Sequence, residues 1–279
     1  MPDSKQSPLD TTSYWQSSQP LPRFPRLDST RHVDVVIIGG GITGITAAYL
    51  LTREGRRVAL LERRRCAAMD TGHTSAHLTC VTDTPLTELV EKFGEDHARA
   101  VWDAGLAAIA ELDEIARRES IDCSFAWVPG YLHTPALKTL DAKADDRLRR
   151  EAKLAQSLGF DARYVARAPF VDRPAMEIDA QARFHPRQFL RGLLEMIDGG
   201  GSMVLEHTEV TEVKGDPLTV CAGEYEITCD DVVVATHNPI VGIAGMAAST
   251  FLQTKLSLYT SYVAGGRTAP GQVPDALFW

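Results

Sequence analysis

The stretch that most restricts what this 279-residue chain can become is residues 33–62, V-D-V-V-I-I-G-G-G-I-T-G-I-T-A-A-Y-L-L-T-R-E-G-R-R-V-A-L-L-E. A short apolar run rich in β-branched residues (33–38) predicts a buried strand. Residues 45–53 read as a helix that Gly55 ends, and 58–61 form a second apolar strand closing on Glu62. Strand, glycine turn, helix and strand make a βαβ unit with parallel strands and a right-handed crossover. Gly39, Gly41 and Gly44 match G-x-G-x-x-G. Gly39 permits the tight turn, Gly41 lets backbone approach a pyrophosphate, and Gly44 lets the helix pack close to the sheet. The pyrophosphate would meet free N–H groups and the positive end of the helix dipole, at Ile42 and Thr43. Glu62 lies 62 − 39 = 23 positions after the first glycine, where a carboxylate accepts ribose hydroxyls. Its charge argues against NADP, whose extra phosphate it would repel.

Lysine and arginine number 29 against 37 aspartates and glutamates, a net charge of −8. An acidic chain lacks the electrostatic footprint of a nucleic-acid binder. The short run Arg63, Arg64 and Arg65 reads by itself as a solvated turn. A hydrophobic share of 44% with 24% charged residues fits a soluble globular protein. No stretch reaches the ~18 apolar residues of a membrane span. Residues 1–28 are polar and proline-rich, without the apolar core of a secretory signal. Five scattered cysteines, none in a C-x-x-C pair, argue against a disulfide framework and for a reducing cytoplasm.

Along the chain, residues 1–31 read as an extended arm stiffened by Pro20, Pro22 and Pro25, with Tyr14 and Trp15 as possible anchors to the body. Residues 84–118 carry a continuous helical stripe. Strand-like composition returns at 125–132, and helices are expected at 137–158 and 186–197, the second stopped by Gly199, Gly200 and Gly201. Strands are expected at 203–213, 225–235 and 256–264. The chain closes on Leu277, Phe278 and Trp279, an end that suggests either a cut sequence or residues tied into a sheet.

With those residues in view, 33–62 resembles the FAD-binding opening of the D-amino-acid oxidase superfamily. T-G-H-T-S-A-H-L-T (71–79) resembles that family's loop reaching the flavin, and F-H-P-R-Q-F-L-R-G-L-L (184–194) its helix before a second FAD-contacting strand. E-V-T-E-V (209–213) resembles the strand backing adenine, at Val210. D-V-V-V-A-T-H-N-P (231–239) resembles the family's Ala-Thr-Gly strand end, with His237 in place of glycine. The segments S-Y-W-Q-S-S-Q-P-L-P-R-F-P-R-L (13–27) and V-P-D-A-L-F-W (273–279) are similar to a bacterial subgroup that continues into a Rieske iron–sulfur domain. No C-x-H with a later C-x-x-H occurs here, so these residues hold no Rieske cluster.

The resemblance implies an α/β fold: a Rossmann-like FAD-binding domain (32–82 and 184–245), an inserted α+β substrate domain (83–183 and 246–279), and a missing C-terminal part. It implies FAD held by the glycine turn, Glu62, Arg63, Val210 and Thr236, with Thr71, Gly72, His73 and Thr74 lining the pyrophosphate and flavin. It leaves the catalytic residues unassigned. It implies oxidation of an amine or amino acid by hydride transfer to flavin, with oxygen or a redox partner taking the electrons. Two alternatives stand beside this: a nicotinamide-dependent dehydrogenase using the same turn, and a truncated FAD-binding fragment without turnover. Some relatives attach flavin through a histidine near this loop, and spacing does not choose between His73 and His77. Those two residues with Cys80 make a weak zinc pattern without a fourth ligand, so no metal is assigned. Tyr131, His133, Tyr259 and Tyr262 either face a substrate cavity or, as strand aromatics more often do, pack in the core. No G-x-S-x-G turn or Ser–His–Asp pattern supports hydrolase chemistry.

Overall fold

The computed structural model describes residues 12–135, 142–237, 263 and 265–279, and the strand expected at 256–264 lies almost wholly outside them. The described residues form two compact units, one from 12–74 with 186–237 and 263, the other from 75–135, 142–185 and 265–279.

The first unit is built on a four-stranded parallel sheet in the order β12 (Asp231–Val234), β2 (Val35–Ile38), β3 (Val58–Leu61), β8 (Met203–Leu205). Every residue of β2 and β3 is buried, as strands covered on both faces require. The strand period of two sends Val36, Ile38, Ala59, Leu61 and Leu205 to one face. There they pack against a second sheet, ordered β1 (Arg31–His32), β11 (Tyr225–Thr228), β10 (Thr219–Ala222), β9 (Glu212–Lys214), through Val220, Ala222 and Ile227. Ile37 points the other way, toward the helix α2 (Ile42–Arg53) at Gly44. The helix α6 (Pro186–Ile197) packs on α2 and buries Phe189, Leu190, Leu193, Leu194 and Ile197.

An ion pair fixes the start of the parallel sheet. Asp34 accepts the Arg57 guanidinium Nε at 3.1 Å and its backbone N–H at 2.8 Å. These bonds hold the Asp34 carboxyl at about 2, below its ordinary 3.8. A group depressed in the folded state adds stability that is complete above its ordinary value and is lost as pH falls through the folded one. Between about pH 4 and pH 2 the wild type is therefore expected to lose stability more steeply than Asp34→Asn. Urea midpoints across that range check it; parallel curves would remove the pair from acid unfolding.

The second unit holds a five-stranded sheet. Its central strand β7 (Ala175–Arg183) runs antiparallel to β5 (Ala126–His133) along its length. On its other edge β4 (His77–Leu78) pairs near one end and β6 (Ala162–Val165) near the other. The strand β13 (Leu277–Phe278) adds in parallel to β5, so the last residues are tied into a sheet. The helices α3 (Leu86–Phe93), α4 (Glu95–Arg118) and α5 (Ala142–Ser157) share a core with this sheet through Leu86, Trp102, Leu148, Ala155, Met176 and Ile178.

Four expectations need correction. The helical stretch expected at 84–118 is two helices broken at Gly94, whose φ of 83° no other residue adopts easily. The N-terminal arm is not wholly extended: Tyr14–Ser18 forms a short helix, α1, capped by the Ser13 hydroxyl. The strand expected at 203–213 stops at Leu205, because Glu206, His207 and Thr208 give their N–H groups to Pro25, Arg64 and Glu62 instead of continuing a ladder. The strand expected at 225–235 is two strands in different sheets, separated where the Asp230 and Asp231 N–H groups turn onto the Asp34 carbonyl.

Candidate functional site

The glycine turn joins β2 to α2, and each glycine answers to a measured contact. At Gly39, with φ of 113°, a Cβ would lie 2.4 Å from the Ala235 carbonyl oxygen. At Gly44 it would lie 1.9 Å from the Gly39 carbonyl oxygen, so helix and turn are in direct backbone contact. At Gly41, the N-cap of α2, the sole atom it would approach is Thr71 Oγ1 at 3.4 Å. The mouth of the helix is thus open beyond Gly41. The Ile42 N–H there donates to Thr71 Oγ1 at 3.1 Å, so an oxygen already sits where an anion's oxygen would sit. Thr43 is exposed on the first turn beside it.

Glu62 follows β3 directly. One carboxylate oxygen accepts the Gly40 N–H at 2.9 Å and the other accepts the Arg64 N–H at 2.8 Å. The turn's own backbone therefore aims the acid. Arg63 beside it is exposed. Behind the turn, the Cys66 sulfur would be 2.9 Å from a Cβ at Gly40, and burial followed by the Glu206 charge pushes its thiol far up, so it stays protonated. Val210 is buried in the core shared by the two sheets, among the residues that follow β8.

Residues 67–74 form a compact loop ending in a 3-10 turn, Asp70–His73. Ala67 sits at φ of 50°, its N–H bonded to the Gly40 carbonyl at 2.8 Å. Gly72 is buried, with no room for a Cβ between the Ala67 carbonyl (2.5 Å) and Gln16 Nε2 (2.9 Å). His73 is exposed; its Nδ1 lies 2.9 Å from the Met69 carbonyl, which puts the proton on Nδ1. The Thr74 carbonyl accepts the Trp15 indole N–H at 2.7 Å. Thr236 follows β12, and His237 next to it has φ of 62°, the left-handed geometry that suits glycine, with Nε2 4.0 Å from Asp70.

The first unit therefore brings together Gly39, Gly41, Ile42, Thr43, Gly44 and Glu62 with Thr71. His77 stands apart from His73 in element, lying in β4 of the second unit, so the two do not share a helix face. Among the described residues no three His, Cys, Asp or Glu side chains are placed to hold a metal ion. Tyr131 is buried, its hydroxyl 3.1 Å from Glu177 and its ring stacked on Phe278, so packing accounts for it. His133 lines a cavity of about 380 Å³ in the second unit together with Leu86, Trp102, Met176, Arg147 and Trp279. Tyr259 and Tyr262 lie outside the described residues.

Sequence reasoning missed Glu206, which is fully buried and accepts the Arg65 guanidinium, the Cys66 N–H (2.8 Å) and the Phe24 N–H (3.2 Å). An acid directly after the apolar run Met203–Leu205 was the available signal. It also missed Arg187, buried in α6, whose guanidinium donates to the Gln19 (2.8 Å) and Ala67 (3.1 Å) carbonyls.

A parallel sheet whose first crossover carries this turn, with a carboxylate closing the second strand, defines a dinucleotide-binding protein. Residues 34–263 match the family of FAD dependent oxidoreductases (DAO), and the chain belongs to it. FAD is accordingly its cofactor. The chain is 33% identical over 241 residues, 85% of its length, to YhfW of Bacillus subtilis (strain 168), described as a Rieske 2Fe-2S iron-sulfur protein. It is 26% identical over 81% of its length to the gamma-glutamylputrescine oxidoreductase of Escherichia coli (strain K12). The glycine oxidase of Geobacillus kaustophilus shares the fold at a TM-score of 0.54 and 20% identity, over 74% of this chain and 56% of that one. The chain spans about half the length of these curated relatives, 46% of the first and 54% of the second. No described helix is long and apolar enough to cross a membrane.

Proposed function

We propose that the protein oxidises an amine or amino acid, with FAD held by the first unit. The observation carrying this reading is the open helix mouth at Gly41, with Glu62 aimed by the Gly40 N–H on the same turn. The pyrophosphate would sit on the Ile42 and Thr43 N–H groups, displacing the Thr71 hydroxyl from acceptor to donor. Glu62 would take the ribose hydroxyls, with Arg63 at the rim and Val210 behind adenine. Thr71, Gly72, His73, Thr74 and Thr236 would face the remainder of the cofactor. When bound, the flavin supplies the hydride acceptor for oxidation at a carbon bearing nitrogen. The names of the relatives, a gamma-glutamylputrescine oxidoreductase and a glycine oxidase, support that donor class. We further infer that oxygen or a redox partner removes the electrons, and that the protein works in the cytoplasm, since all five cysteines are free and buried.

The visible spectrum of the purified protein, then of its denatured supernatant, is the test. A flavin spectrum that moves to the supernatant is expected, followed by anaerobic bleaching of the holoprotein with amines or amino acids. A colourless protein that takes up no added FAD would overturn the binding assignment. Bleaching by nitrogen-free donors alone would overturn the donor class.

A further inference from the structure

The loop at 67–74 is held from outside by the N-terminal arm, and the contacts share one pattern. Side chains of the arm donate to backbone carbonyls of the loop. The Ser13 hydroxyl bonds the Gly72 carbonyl, the Trp15 indole bonds the Thr74 carbonyl at 2.7 Å, and the Gln16 amide bonds the Ala68 carbonyl at 3.1 Å. Three donors from one turn of helix thus reach three carbonyls of one loop. Arg187 closes the clasp from the body of the unit, its guanidinium bridging the Gln19 carbonyl of the arm and the Ala67 carbonyl of the loop. Upstream of the loop, Arg65 bonds the Pro22 carbonyl at 2.9 Å.

The loop needs such support. Ala67 (φ 50°), at its start, lies in the left-handed region, which a residue with a Cβ occupies at a cost unless its surroundings over-determine it. The loop is also attached to the cofactor turn, by Thr71 Oγ1 on the Ile42 N–H at the mouth of the helix and by the Ala67 N–H on the Gly40 carbonyl. A displacement of the loop therefore moves the hydroxyl that sits at the phosphate end of the turn.

We propose that residues 13–19 are a positioning clamp that pre-orders the loop 67–74 for FAD, with Ser13, Trp15 and Gln16 as its positioning residues. The part concerning FAD rests on the reading given above; the part concerning loop order does not. Each clamp bond holds a loop that binding would otherwise have to order, so losing one lowers affinity without touching the cofactor. Trp15→Phe keeps an aromatic ring, smaller than indole, and removes the N–H, and Ser13→Ala removes the hydroxyl.

The experiment is amide hydrogen exchange over 67–74 in the ligand-free protein, together with the FAD dissociation constant and the visible circular dichroism of bound flavin. We expect faster exchange confined to the loop. A hydrogen bond of this kind corresponds to about a fivefold weakening of FAD for either single variant and more than about tenfold for the pair. The dichroism band should change, which a loss of general stability would not produce. Gln16→Ala gives an independent reading should Trp15→Phe fail to fold. Unchanged exchange in all variants, or unchanged affinity with faster exchange, would overturn the clamp. Faster loop exchange in a protein that takes up no FAD would sustain the loop-ordering role and overturn the FAD reading.

Discussion

Gly44→Ala is expected to unfold the first unit, whereas Gly41→Ala, three residues earlier, should leave it folded and unable to bind FAD tightly. At Gly44 the new methyl would lie 1.9 Å from the Gly39 carbonyl oxygen, backbone against backbone, with Ile37 at 3.4 Å behind it. No rotamer relieves that contact. The helix α2 must move off the sheet, losing burial of Ile45, Ala48 and Tyr49 against it. Overpacking of this kind costs about 3 kcal/mol or more, a large part of a domain's stability of roughly 5–15 kcal/mol. At Gly41 the backbone is ordinary, with φ of −83°, and the methyl meets a single hydroxyl at 3.4 Å. The ligand-free protein should accept it within about 0.5 kcal/mol. The same methyl stands where the pyrophosphate must approach. Thermal unfolding of the ligand-free variants, beside their FAD affinities, separates the two. Equal destabilisation by both, or full FAD binding by Gly41→Ala, would show that the turn serves packing alone.

The nucleotide turn was legible because its constraints are local. The run 35–38 is apolar enough to be buried on both faces, the glycines fall at fixed steps, and Glu62 ends the next apolar run; strand, helix and strand appear at Val35–Ile38, Ile42–Arg53 and Val58–Leu61. The helix at Pro186–Ile197 was equally plain, since its apolar residues fall on one face and three glycines stop it. Elements were lost where tertiary contacts override pattern. Asp230 and Asp231 bend a β-rich run because both N–H groups bond one carbonyl, that of Asp34, far away in sequence. The strand Ala175–Arg183 drew no reading because Glu177, Asp179 and Gln181 make it look polar, although Glu177 and Gln181 are buried and bonded to Tyr131 and to the Cys80 N–H. Of the candidate site, the turn, Glu62 and the loop residues came from spacing or resemblance. The arm's helix did not, because five residues of mostly polar side chain carry no amphipathic period.

Glu206→Ala should be the most damaging change outside the glycines. Glu206 follows β8 with none of its surface exposed, and its carboxylate joins three parts of the chain. It takes the Arg65 guanidinium from the segment after Glu62, the Cys66 N–H beside it, and the Phe24 N–H from the arm. A buried ion pair is not strong merely by being buried, since desolvation offsets much of its attraction. Here two backbone donors also depend on the acid, although Arg65 is 32% exposed and keeps the Pro22 carbonyl, which places the cost toward the lower end of the range for a buried pair. Removing the carboxylate leaves Arg65 and both N–H groups without that acceptor, and breaking one partner of a buried pair costs about 3–5 kcal/mol. Glu206→Gln keeps one carbonyl oxygen but not the charge, so its loss should be smaller. The Arg65→Ala, Glu206→Ala double variant should recover part of the single loss, because the stranded guanidinium is gone. Urea denaturation of the three variants measures this order. If Glu206→Ala and Glu206→Gln fall within about 0.5 kcal/mol of the wild type, the buried acid does not join arm to sheet. The arm would then rest on its other contacts, among them those of Ser13, Trp15, Gln16 and Arg187 and the Leu27 N–H on the Thr208 hydroxyl.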